Sequence, residues 1–281
     1  MKWWHRWHTS SLLLRAPLKL VCFAAIVLLT LFPRPTLLVT LIERVQRMDT
    51  LIDPTHPRLA ELESRVRAAL PAGATARDAL RPVEATVYQS VPYKHDWETR
   101  GVMEHLATTA EIFEMGSDDC DGRAVIAASL LRRMGYEARL ATDLLHMWVE
   151  TPEGETMSPT STVKVLVSTS QGTRVDVTPA LLKTWARGWS YGVATFPLQR
   201  EIIIMLALFL VTLHPWSSGW RRFASLLLLW IGLDLVRDQG ELAAMNGNGA
   251  WLVALGFAVF FAGWVTLAIR TRRNPVPVAT P

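Results

Sequence analysis

Charged residues are scarce in this 281-residue chain: Asp, Glu, Lys and Arg make up 19%, half of all residues are hydrophobic, and mean hydropathy is +0.21. Water-soluble domains carry more charge than this, and disordered chains carry far less apolar material. Cysteine is scarcer still. Cys22 and Cys120 are the two examples, which excludes a small scaffold stapled by disulfides. Sixteen glycines without a triplet period exclude a collagen-like chain. Basic residues exceed acidic ones, for a net charge of +4, but unevenly. Residues 43–200 hold 18 basic and 21 acidic side chains, while the remainder holds 11 and 4. The positive charge therefore belongs to two apolar ends and gives no reason to expect a nucleic-acid partner.

Residues 250–269 form a run of twenty without a charge, enough as a helix to cross a hydrocarbon core of roughly 30 Å. Shorter apolar runs at 20–32, 202–213 and 223–236 suggest further spans, about four transmembrane helices in all. No small-x-small cleavage signal follows the first run, so it reads as an uncleaved anchor. With the N-terminus in the cytoplasm, nine of the eleven basic residues beside the spans fall inside, Arg34 and Arg237 being the exceptions. This orientation expects an integral protein of a bacterial inner membrane, partnered by the lipid bilayer, with its polar middle on the periplasmic side. Asp234 and His214 near helix ends raise a transporter or sensor reading, which so few intramembrane charges disfavour.

Four segments follow: a basic tail and first anchor (1–42), a helical stalk that stands apart from or leans on the domain (43–87), a globular domain (88–198) and a C-terminal membrane region (199–281). Within the globular part, Thr108 or Thr109 opens a short helix with Glu111 in its first turn. A second helix runs from Cys120 to Met134, with Ala124, Ala127, Ala128 and Leu131 on one face and Gly135 as its stop. Strand-like alternation follows at 136–141, 146–151, 155–158, 164–169 and 174–177. Helices first and strands after indicate an α+β class.

A thiol attacks as thiolate, and a helix N-terminus stabilises that anion, so Cys120 is placed to be a nucleophile. Asp118, Asp119 and Asp121 oppose this by raising the thiol pKa, and an imidazole partner is needed. His146, opening the second strand after the helix, is the natural one. Trp148, next but one, covers the imidazole, lines a substrate groove or is plain core. Gln89 is a candidate oxyanion donor beside the backbone N–H of Cys120. His95 and His105 read as surface or capping residues. No His/Cys spacing suggests zinc, and the aspartates lack EF-hand spacing, so no metal or cofactor is expected.

The segments Gly116–Ala124, Leu130–Arg139 and His146–Glu150 together resemble the transglutaminase-like family, in particular its bacterial cysteine-peptidase-like members, over roughly residues 88 to 160. The resemblance implies a papain-like core and a peptide or protein substrate. Cys120 would attack a carboxamide or peptide carbonyl to form a thioester, with His146 as the acid and base. Hydrolysis and transamidation both stay open. In that family an Asp before Pro-Thr orients the histidine, whereas here Ser158 stands before Pro159 and Thr160. Asp176 is the alternative carboxylate. The substitution also leaves open a catalytically weak or inactive module serving as an envelope scaffold.

Overall fold

The computed structural model describes residues 12–143, 145–158, 164–176, 181–214 and 217–268. Lys2, Arg6, Arg270, Arg272 and Arg273, on which part of the orientation count rests, lie outside the described residues, as do Pro159 and Thr160. The elements in chain order are α1 (Leu12–Leu31), α2 (Pro35–Gln46), a 3₁₀ turn at Met48–Leu51, α3 (Leu59–Ala68), α4 (Ala76–Ser90), α5 (Asp96–Thr99), α6 (Thr109–Met115) and α7 (Cys120–Arg133). Strands β1 (Arg139–Thr142), β2 (Met147–Thr151), β3 (Gly154–Thr156), β4 (Leu166–Thr169) and β5 (Gly172–Val175) come next. Helices α8 (Leu181–Thr195), α9 (Leu198–Thr212), α10 (Gly219–Asn246) and α11 (Ala250–Ala268) complete the chain. The class is α+β. Two units form, one of Phe32–Trp189 and one of Met1–Leu31 with Ser190–Pro281.

In the first unit the five strands make one antiparallel sheet in the order β3-β2-β1-β4-β5. Helix α7 packs across β2 and is buried on most of its surface: Gly122, Ala124 through Leu131 and Asp121 are all inaccessible. Its small alanines let the sheet and α4 approach from different sides, and one continuous core results. Asp119 caps its start by accepting from the Asp121 amide, and Gly135 in the left-handed region ends it, as expected.

The expected stalk is not separate. Met48, Leu51, Leu59, Leu62, Val66, Leu80, Val83 and Val87 are buried in the same core as α7 and β2. The amphipathic spacing of this stretch was legible, but an apolar stripe on a helix does not say which surface it covers.

In the second unit, α11 is the one described helix that is by itself long and apolar enough to cross a membrane, with up to three spans if bent helix pairs are counted as single spans. This corrects the expected four. Helix α9 has only 15 residues, about 22 Å at 1.5 Å per residue. Helix α10 is long enough at 28 residues but carries Arg221, Arg222, Asp234, Arg237, Asp238 and Glu241. Helix α1 contains Arg15, Lys19 and Pro17. Helices α10 and α11 form a tight hairpin. A Cβ on Gly232 would lie 2.4 Å from the Phe260 nitrogen, and one on Gly263 would lie 2.9 Å from the Leu229 nitrogen. Glycine at both sites permits this backbone approach, and the Ser225 hydroxyl bonds the Gly263 carbonyl at 2.7 Å.

Candidate functional site

The loop ahead of α7 is fixed by main-chain pairing. The Asp118 amide donates to Pro92 O, and the Lys94 amide donates to Asp118 O, each at 3.2 Å. Cys120, half-buried, starts α7 immediately after this pairing. The Met147 backbone N–H lies close enough to the Cys120 sulfur to favour its anion, so the start of β2 lies near the start of α7. Burial first, and the negative charge of Asp119 second, push the thiol well above its ordinary pKa. The Met147 amide and the Cys120 amide pull it down without prevailing. At rest, therefore, the sulfur carries its proton, and the helix terminus alone does not make a thiolate.

His146 directly precedes β2 and is held by a turn. Its amide donates to Asp143 Oδ1 at 2.8 Å, the Leu145 amide to the same oxygen at 3.0 Å, and its carbonyl accepts from the Asp143 amide at 3.2 Å. Asp143 is buried and was not singled out from the sequence. Its signal was an aspartate two to three residues before the histidine, a pattern in which the carboxylate caps the following amides. His146 Nε2 lies 2.8 Å from Met157 O. A carbonyl only accepts, so Nε2 is the donor in this bond and Nδ1 is the ring nitrogen turned away from Met157.

Neither expected orienter makes that bond. Ser158 is exposed, and the preceding residue's carbonyl occupies the position by sequence offset of one. Met157 achieves this with φ +59, the one described non-glycine residue in the left-handed region, while its side chain is buried. Asp176 follows β5 at the opposite side of the sheet from β2 and pairs with Arg174 at 3.0 Å. Strand order was the missing information. Trp148 is fully buried in the core cluster that also holds residues of α7. Gln89 is exposed near the end of α4 and its side chain makes no hydrogen bond among the described residues. Its neighbour Tyr88 is the residue within electrostatic range of Cys120.

Carboxylates crowd the sulfur. Burial, then repulsion from Asp119, raises Asp96 to about 9 and Asp118 to about 7, and burial pushes Asp121 well above its ordinary range. Glu104 keeps solvent-exposed surface, and the negative charges of Asp119 and Asp118 shift its carboxyl upward. Oxygens of Asp118, Asp119 and Asp121 come within 4.8 Å of one another, a spacing at which hard oxygen donors can share a cation.

Behind this cluster, Arg44 of α2 grips the segment leading to α6. It makes a two-pronged bond with Glu111, at 2.7 and 2.9 Å, and donates to Leu106 O at 2.7 Å. Burial would raise the Glu111 carboxyl, but bonds from His105, Arg44 and the Thr108 amide hold it well below its usual range. His105 is buried beside this pair and takes no surface role, whereas His95 caps α5.

Comparison of the chain with protein-family models, with curated proteins and with solved structures returned no match.

Proposed function

We propose that this chain is a membrane-anchored, transglutaminase-like cysteine hydrolase or transamidase acting on peptide or carboxamide bonds. The observation that carries the reading is the closeness of the Met147 amide to the Cys120 sulfur. It brings the residue after His146 beside the thiol, while the bond to Met157 O leaves His146 Nδ1 as the candidate base. Because the resting sulfur is protonated, attack is general-base assisted: His146 takes the thiol proton as sulfur bonds to the carbonyl carbon. The tetrahedral intermediate then expels the amine, which receives that proton from the imidazolium, and a Cys120 thioester remains. Water gives the acid, and a second amine gives a new amide. The amides of Cys120 and Met147 are the candidate donors to the oxyanion. The basic residues flanking the apolar runs favour an outward-facing site on a bacterial inner membrane.

The raised thiol pKa and the uncharged partner of His146 favour a second reading, a catalytically weak module that binds peptide as an envelope scaffold. One experiment separates the two. Full-length protein in detergent is treated with p-nitrophenyl acetate at pH 7.5, and acetylation of the Cys120 peptide is followed by mass spectrometry. General-base assistance is worth about 10²–10⁴-fold, so His146→Ala should slow acylation by at least about 10²-fold. Equal rates in the two proteins leave only the scaffold.

A further inference from the structure

Arg123 lies one turn along α7 from Cys120, a spacing that puts the two side chains on neighbouring positions of one helix face, about 5–6 Å apart at Cβ. Its guanidinium carbon lies over two aromatic rings, 4.8 Å from the Tyr88 centroid and 5.0 Å from that of Tyr93. Its Nε donates to Val91 O at 3.0 Å, which fixes the plane of the fork. The terminal nitrogens remain. Among the described residues they form no ion pair, although the neighbouring turn is rich in carboxylates, and they are not buried. Tyr88 and Tyr93 are themselves 46% and 42% exposed, so the clamp opens to solvent.

A purely structural arginine spends its fork on the protein. This one uses a single N–H for anchoring, loses little rotamer freedom because the rings already hold it, and keeps two terminal nitrogens with no ion pair among the described residues, donors that suit a carboxylate. Asp119 and Glu104 would by themselves repel an anion from the sulfur, so a cation held here has a direct effect on which substrates approach.

We infer that Arg123, clamped by Tyr88 and Tyr93, is a substrate-carboxylate subsite, and that the preferred substrate is an amide whose acyl part carries a free carboxylate. Side-chain amides of amino acids with a free α-carboxylate, and peptides cleaved near an acidic residue, have this chemistry. The inference rests on Cys120 as the reacting group and assigns Arg123 as a positioning residue.

Its test uses full-length protein in detergent at pH 8.5, with iodoacetate and iodoacetamide as probes of opposite charge and nearly equal size, read at the Cys120 peptide by mass spectrometry. The ratio of the two rates cancels any change in thiol reactivity. The ratio should fall at least tenfold in Arg123→Gln and less in Arg123→Lys, which keeps the charge but not the fork. A second measurement is independent of thiol chemistry: in a Cys120→Ala background, glutaramate should bind more tightly than uncharged glutaramide by equilibrium dialysis, and adding Arg123→Gln should abolish the difference. Equal alkylation ratios, or no preference between the two amides, would overturn the subsite. Loss of His146-dependent acylation with the acid preference intact would instead count against the catalytic reading alone.

Discussion

Gly122 sits in the first turn of α7, two residues after Cys120. Replacing it with alanine sets two effects against each other. An ordinary helix gains about 0.5–1 kcal/mol from Gly→Ala, because the unfolded chain loses freedom. Here the new Cβ would lie 2.5 Å from Asp118 Cβ and Cγ and 2.6 Å from its Oδ2, against a normal separation of about 3.5–4.0 Å. Asp118 is 1% exposed and its backbone is bonded on both sides to Pro92 and Lys94, so it has nowhere to swing. Overpacking costs about 1–3 kcal/mol, and an overlap of roughly 1 Å against a clamped neighbour belongs at the upper end. The net loss should be about 2 kcal/mol, or about 4–8 °C in the melting temperature of a unit this size. Amide protection in the α7 and β2 peptides, followed against temperature by hydrogen-exchange mass spectrometry, reads this unit apart from the membrane helices. In Asp118→Gly the clashing atoms are gone, and Gly122→Ala should become neutral or stabilising. A wild-type or higher melting temperature for Gly122→Ala alone would refute the steric reasoning.

Further outcomes concern the orienter, the loop clamp, pH and the hairpin. Ser158→Ala and Asp176→Asn should each leave Cys120 acetylation within about twofold, and a tenfold loss in either would reassign the partner of His146. Arg44→Ala strands the Glu111 carboxylate and the Leu106 carbonyl. It should cost about 1–3 kcal/mol, seen first as lost amide protection in α6. Asp96 and Asp118 bind their protons more tightly folded than unfolded, since both carboxyls are raised, to about 9 and about 7. Their contribution is therefore complete below the ordinary value of 3.8, is lost as pH climbs, and changes no further above about 9. Asp96→Asn should flatten that decline in melting temperature, and an unchanged slope would show that Asp96 is ionised in the fold. Gly232→Leu forces α10 from α11 and should lower the yield of folded, detergent-soluble protein severalfold, judged by size-exclusion chromatography.

Local pattern carried much of this molecule. The limits of α7, the cap of α6 by Thr108 with Glu111, and the position of β2 follow from local pattern and cap chemistry within a dozen residues, although β2 is buried on both faces rather than alternating. What failed was information that only the assembled chain holds. Asp176 carries a suitable carboxylate, but the order of strands sends it to the far side of the sheet. Trp148 had core among its possible roles, and its full burial in the assembled core is what the sequence alone does not show. The stretch 43–87 shows its apolar stripe openly, yet nothing in the stripe names the surface it covers. The span count failed for a different reason: short apolar runs were read as crossings, whereas their helices are too short or too charged. Asp143 was in view and was passed over because its work is done on backbone amides two and three residues on.

The acceptor that faces His146 Nε2 belongs to the peptide chain itself. A carboxylate in that role can be deleted by one codon change; a carbonyl cannot, because every amino acid brings one. Inactivating this arm of the site by mutation therefore means rerouting the chain at residue 157, for instance with a residue that refuses a positive φ, and side-chain scanning across 157 and 158 would leave the oxygen in place. A histidine partner of this kind leaves no side-chain signature for a motif search to read.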